Sequence, residues 1–80
     1  MTIEQLESLP FKYMGKEMTS MIKLESREAY YNKQYDIMII IEEKWIRNGL
    51  RINRIFKYKG KLYRKIEQFL GVIKDIEFEL

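Results

Sequence analysis

The chain contains no cysteine and no histidine. Without cysteine it forms no disulfide and offers no thiolate to a metal, a composition that fits a reducing compartment. Without histidine it lacks the usual acid/base of neutral pH and the commonest metal ligand. Hydroxyl side chains are also scarce. Thr2, Ser8, Thr19, Ser20 and Ser26 are the only ones of the serine and threonine type, and no nucleophilic triad can be built from them. No glycine-rich phosphate loop occurs. The longest apolar run, Ile37 to Ile41, is five residues, against the ~18–20 that a membrane-spanning helix requires. The N-terminus does not follow the basic-then-apolar order of a secretory signal. These absences predict a non-catalytic, cytoplasmic protein with no cofactor, no metal and no membrane partner.

The most informative absence is local. Between Lys44 and Ile66 there is no acidic residue, yet there are nine basic ones: Lys44, Arg47, Arg51, Arg54, Lys57, Lys59, Lys61, Arg64 and Lys65. The residues before Lys44 sum to −3 and those after Ile66 also sum to −3, so a formal total of +3 hides a +9 segment between acidic flanks. Charge segregated in this way points to a polyanionic partner, nucleic acid foremost. Lysine on a solvated edge strand is the plainer explanation of basic residues, since it discourages aggregation. The lack of any interleaved acid weighs towards function.

Eighty residues with 46% hydrophobic content make one globular domain, spanning 1–80, with a small core. The sequence predicts an α+β fold. Its main element is a long amphipathic helix over about 27–48. At helical spacing Asn32, Lys33, Asp36, Glu43, Lys44 and Arg47 gather on one arc, with tyrosines, isoleucines and Trp45 on the rest. Ser26 is placed to cap its start and Asn48-Gly49 to end it. The rival reading makes Tyr35 to Ile41 a buried strand; the polar arc and the two caps favour the helix. The helix would pack on an antiparallel sheet of hairpins over about 9–25 and 50–69 plus a C-terminal strand over 72–80, where Ile76 to Leu80 alternate. Thr2 with Gln5 is set to cap a short N-terminal helix reaching about Leu9. If residues 11–25 are helical instead of a hairpin, the order becomes a winged-helix arrangement with 50–69 as the wing.

In the 50–69 hairpin, Tyr58-Lys59-Gly60 is expected to form a three-residue loop with Gly60 at positive φ. That register sets Lys57 opposite Lys61 and Arg54 opposite Arg64. Like charges so placed destabilise a sheet unless an anion takes them up. The segment Phe56-Lys57-Tyr58-Lys59-Gly60-Lys61 is echoed by Phe11-Lys12-Tyr13-Met14-Gly15-Lys16. It also resembles the first hairpin of the small basic archaeal chromatin proteins with an SH3-like barrel, which bind the DNA minor groove with little sequence preference. That resemblance spans six residues and transfers no binding residue.

One catalytic pattern stands out from the rest. Ile39 to Lys44 matches the apolar-strand-then-Glu-x-Lys order of metal-dependent nucleases, in which Glu42 would hold Mg²⁺ beside Asp36 and Lys44 would activate water. The short spacing and the helical reading make Glu42, Glu43 and Lys44 the solvated end of a helix instead.

The leading expectation is therefore a small nucleic-acid-binding protein, DNA ahead of RNA. Its candidate contacts are Arg51, Arg54, Lys57, Lys59, Lys61, Arg64 and Lys65 on phosphates, with Tyr63 available to stack. The alternative is a small inhibitor that docks on a host protein, as mobile elements deploy, anti-CRISPR proteins included; such a protein should expose a sizeable apolar patch. A third reading is self-assembly as a homodimer through Tyr30, Tyr31 and Tyr35.

Overall fold

Asn32 and Asp36, counted on the polar arc of a helix, bracket a turn instead. The computed structural model describes residues 1–79, and most of that chain is sheet. A short helix α1 (Ile3–Ser8) is followed by β1 (Lys12–Ser20), β2 (Glu25–Asn32), β3 (Ile37–Ile46), β4 (Gly49–Tyr58) and β5 (Lys61–Tyr63), then by helix α2 (Ile66–Ile73). The strands run in sequence order β1-β2-β3-β4-β5, every neighbouring pair antiparallel.

The long helix over 27–48 is absent, and its span is the β2–β3 hairpin with the start of the next turn. Two physical reasons decide this. Ile37, Ile39, Ile40, Ile41 and Ile46 are β-branched, so their χ1 freedom is lost in a helix but not on a pleated surface. The polar residues between them are turn formers: the Asn32 side-chain oxygen accepts from the Tyr35 backbone N–H at 2.9 Å, and Asp36 adopts φ 54°, the left-handed region that Asn and Asp tolerate best. Ser26, expected as a helix cap, is instead buried within β2.

The remaining elements are also revised. Residues 9–25 do not close a hairpin on themselves; β1 runs through them and pairs with β2. Gly15, at φ 111°, lies at an irregularity in that pairing between Tyr13 and Gly15, so the echoed hexapeptide is a bulged strand at one site and a turn at the other. The winged-helix alternative fails with it. In the 50–69 hairpin the turn is in place, but it is a two-residue Lys59-Gly60 loop with φ 51° and 78°, the double positive-φ geometry matched to strand twist. The register is thus one residue away from the expected one: Tyr58 faces Lys61, Lys57 faces Leu62 and Phe56 faces Tyr63. Neither predicted like-charge pair forms. The second arm stops at Tyr63, and the C-terminal strand is replaced by α2 and an extended tail to Glu79; Leu80 lies outside the described residues.

The N-terminal helix is as expected in kind. Thr2 and Gln5 form a reciprocal capping box at 3.1 and 2.8 Å. Both helices pack at one end of one sheet face. There Leu6, Leu9, Phe69, Ile73 and Ile76 enclose Ile37 and Phe56. Phe69 stacks on Phe56 with ring centroids 4.6 Å apart, and the N-terminal ammonium donates to the carbonyls of Ile73 and Ile76 at 2.9 and 2.6 Å. No helix among the described residues is long and apolar enough to cross a membrane.

The other end of the sheet has no helix on either face. The Cα radius of gyration is 14.0 Å with extents of 43 × 23 × 21 Å, whereas a compact chain of this length has about 12 Å. The strands simply outrun their core.

Candidate nucleic-acid interface

Because paired residues share a face, the ladder assigns the basic side chains that lie on the paired strands. Arg51 and Lys57 point to the helix-free face with Asn53 and Ile55; Arg54 points to the helix-bearing face in line with Phe56 and Tyr58. Lys61 and Tyr63 share that second face, and Lys59 occupies the turn. Lys65 is the residue before α2. The basic residues therefore divide between the two faces. They straddle an edge.

That edge is open. β5 pairs only with Phe56 to Tyr58, so among the described residues the outer side of β4 from Gly49 to Ile55 has no strand beside it. Arg51, Arg54 and Lys57 recur along β4 every third residue, about 10 Å apart at normal strand rise. Lys57, Lys59 and Lys61 then gather around the β4–β5 turn.

Acidic partners are concentrated elsewhere. Glu25 binds Lys44 at 3.2 Å, Glu42 binds Arg27 at 3.1 Å and Arg64 at 3.6 Å, and Glu28 and Glu43 share Lys16 at 3.8 Å. Of the nine basic residues, Lys44 and Arg64 are thus paired. Among the described residues no carboxylate lies within ion-pair distance of Arg47, Arg51, Arg54, Lys57, Lys59, Lys61 or Lys65. β2 and β3 together carry four acids against two basic residues, and β4 with its turn carries the positive surplus.

Two predicted residues have structural work. Arg64 leaves β5 beside Ile55 and reaches across to Glu42 on β3, lining with Ile55 and Asn53 a small cavity on the way; Ile55 is buried on a face that has no helix. Tyr63 is half-buried, its ring 5.7 Å from Phe69. Lys61 Nζ sits 5.4 Å from the Tyr63 centroid and Lys59 Nζ 5.3 Å from that of Tyr58, contacts that weakly pre-position two of the turn's ammonium groups. The stacking role expected of Tyr63 would have to compete with its core packing.

The sequence reading gave Tyr31 to self-assembly and did not place it beside the basic turn. With Asp36, Met38, Lys57, Lys59 and Gly60 it lines a cleft of about 90 Å³ on the helix-free side of the turn. Its hydroxyl donates to Asp36 Oδ1 at 2.7 Å, and that bond, with desolvation and the carboxylate's charge, raises the phenol above its ordinary pKa. Only knowledge of the β2–β3 turn could have placed it there. The three tyrosines proposed for self-assembly diverge: Tyr30 packs on Tyr13, Tyr31 bonds Asp36, and Tyr35 stacks on Phe78.

The nuclease pattern does not converge. Asp36 lies in the turn before β3 and Glu42 six residues on in mid-strand, about 20 Å away at normal strand rise. Glu42 is engaged by two arginines, and among the described residues no cluster of three metal-ligating side chains exists. Comparison with protein families, with characterised proteins and with solved structures returns no match.

Proposed function

We propose that this protein binds nucleic acid without catalysis in the cytoplasm, gripping the phosphate backbone along the outer edge of β4 and around the β4–β5 turn. The observation that carries the reading is the row of unpaired basic residues along β4 and its turn, in a sheet whose other acids, Glu17 excepted, are already paired with basic residues. Arg51 lies on one side of the open β4 edge and Arg54 on the other, so a phosphate chain running along it meets positive charge from both sides. Lys57 continues the first side where β5 covers the edge. Lys59 and Lys61 extend the contact at the turn, and Lys65 lies beyond it. Such contacts fix position and orientation without reading sequence. Duplex DNA is the preferred partner, because a two-stranded ribbon with a tight turn fits a groove. The same charges keep the open edge from pairing with another copy's edge.

The test is charge reversal. Lys57, Lys59 and Lys61 are all exposed, so replacing them with Glu leaves the fold intact while abolishing binding to a generic duplex. Unchanged affinity sinks the assignment.

One observation favours a second reading, docking on a host protein. On the helix-bearing face beyond the helices, Met18, Trp45, Leu50 and Ile52 are all substantially exposed, apolar side chains sharing one face as a docking surface requires. An inhibitor of this kind ignores free nucleic acid, which separates it from the first reading.

A further inference from the structure

The sheet end opposite the helices is built from two turns. The β1–β2 turn, residues 21–24, lies next to the β3–β4 turn at Arg47-Asn48, and the Trp45 N–H reaches the Leu24 carbonyl at 3.4 Å across them. Turns at a sheet end are ordinarily polar. This one reads Met21-Ile22-Lys23-Leu24, with Ile22 at 96% and Met21 at 72% exposure. Leu24 is held at φ 50°, a conformation costly for a bulky side chain, and half of its surface stays in water. Behind the apex stand Trp45, Ile46 and Leu50, also exposed.

Charge surrounds this apolar tip. Of the carboxylates near this end, Glu25 binds Lys44, Glu43 shares Lys16 with Glu28, and Glu17 has no ion pair among the described residues. Lys23, Arg47 and Arg51 have no ion pair among the described residues. The end of the sheet therefore carries a net positive collar around protruding apolar side chains.

We propose that this tip inserts into the surface of a bilayer containing anionic lipid. The shape decides between occupants. A second copy or a globular partner gains little area from a convex tip whose foremost side chain is almost wholly solvated, whereas a bilayer surface envelops such a tip. Apolar side chains enter the acyl boundary, tryptophan rests at headgroup level and basic residues meet anionic headgroups, the arrangement of peripheral membrane anchors. No membrane-spanning element is required, so the short apolar runs of the sequence do not bear on it.

Trp45 is the only tryptophan and lies within the tip, so its fluorescence reports insertion directly. The full chain is titrated with phosphatidylcholine vesicles and with vesicles in which about a third of the lipid is phosphatidylglycerol. Blue-shifted emission and co-sedimentation are expected with the anionic vesicles only. Ile22→Asp, at a site too exposed to affect folding, should weaken binding by about tenfold or more, and Lys23→Glu or Arg47→Glu each by about fivefold or more. The Lys57, Lys59 and Lys61 reversal should bind vesicles undiminished, which separates this site from the turn end of the nucleic-acid edge; Arg51 borders both. The proposal is overturned by an unshifted spectrum, by equal binding to neutral vesicles, by a blue shift that follows protein concentration without lipid (a second copy on the tip), or by retained binding in Ile22→Asp.

Discussion

Replacing Asn32 with leucine keeps the branching and heavy-atom count of the side chain and removes two hydrogen bonds. Asn32 is 3% exposed; its Nδ2 donates to the Pro10 carbonyl at 3.0 Å and its Oδ1 accepts from the Tyr35 N–H at 2.9 Å. The first bond ties the segment after α1 to the sheet, and the second closes the β2–β3 turn. A net intramolecular hydrogen bond contributes about 1 kcal/mol, and a buried group left without a partner costs about 1–3 kcal/mol. The environment is part-buried, which places the combined loss at about 2–3 kcal/mol, low in that range for two bonds. For a domain of this size each kcal/mol moves Tm by about 4–8 °C, so Tm should fall by about 10–20 °C. Circular-dichroism melts and urea titrations measure it, with the midpoint shifting at unchanged m-value. A fall of less than about 3 °C would refute the turn and its clamp, because a helical Asn32 on the solvent arc would be replaceable at almost no cost.

Three further outcomes are expected. Phe69→Ala empties the centre of the core, where Phe69 is fully buried between α2 and the Phe56 ring, and should cost about 3–5 kcal/mol in urea unfolding. Lys59→Asn suits the positive φ of the first turn position and should stabilise the fold by about 0.5–1 kcal/mol while weakening duplex binding, separating stability from function in one variant. The fold favours the neutral form of Tyr31, whose pKa is raised chiefly by its bond to Asp36. This contribution is whole below the ordinary phenol value of 10.0 and is lost as pH rises through the higher folded value. Asp36→Asn should return the Tyr31 signal in a carbon-13 NMR titration toward the ordinary value, and an unmoved titration contradicts the pairing.

Local chemistry was legible wherever it acts over three or four residues. The Thr2–Gln5 capping box and the positive φ of Gly60 follow from side-chain identity and short-range geometry. The long helix did not survive because both periodicities fit the same residues. Ile37 to Ile41 are apolar on both strand faces, since Ile37 and Ile39 meet the helices while Met38 and Ile40 face the other side, so no alternation betrays the strand. Asn32 and Asp36 then completed a polar arc by coincidence while acting as turn residues. The hairpin register slipped by one because a Lys-Gly turn suits a two-residue loop as well as a longer one, and one residue sends Lys61 and Tyr63 to the opposite face. The charge segregation itself was plain in the sequence. Which basic residues stay unpaired was not, because Arg64–Glu42 and Lys44–Glu25 depend on strand order.

The most direct measurement is fluorescence-anisotropy titration of a generic duplex across a range of salt concentrations. Six unpaired basic residues, Arg51, Arg54, Lys57, Lys59, Lys61 and Lys65, border the proposed edge. If four to six of them meet phosphates, log K should fall against log salt with a slope of about −4 to −5. Reversal of the three turn lysines should flatten that slope by about 3. No duplex binding at low salt, or binding indifferent to salt, contradicts the phosphate-gripping edge.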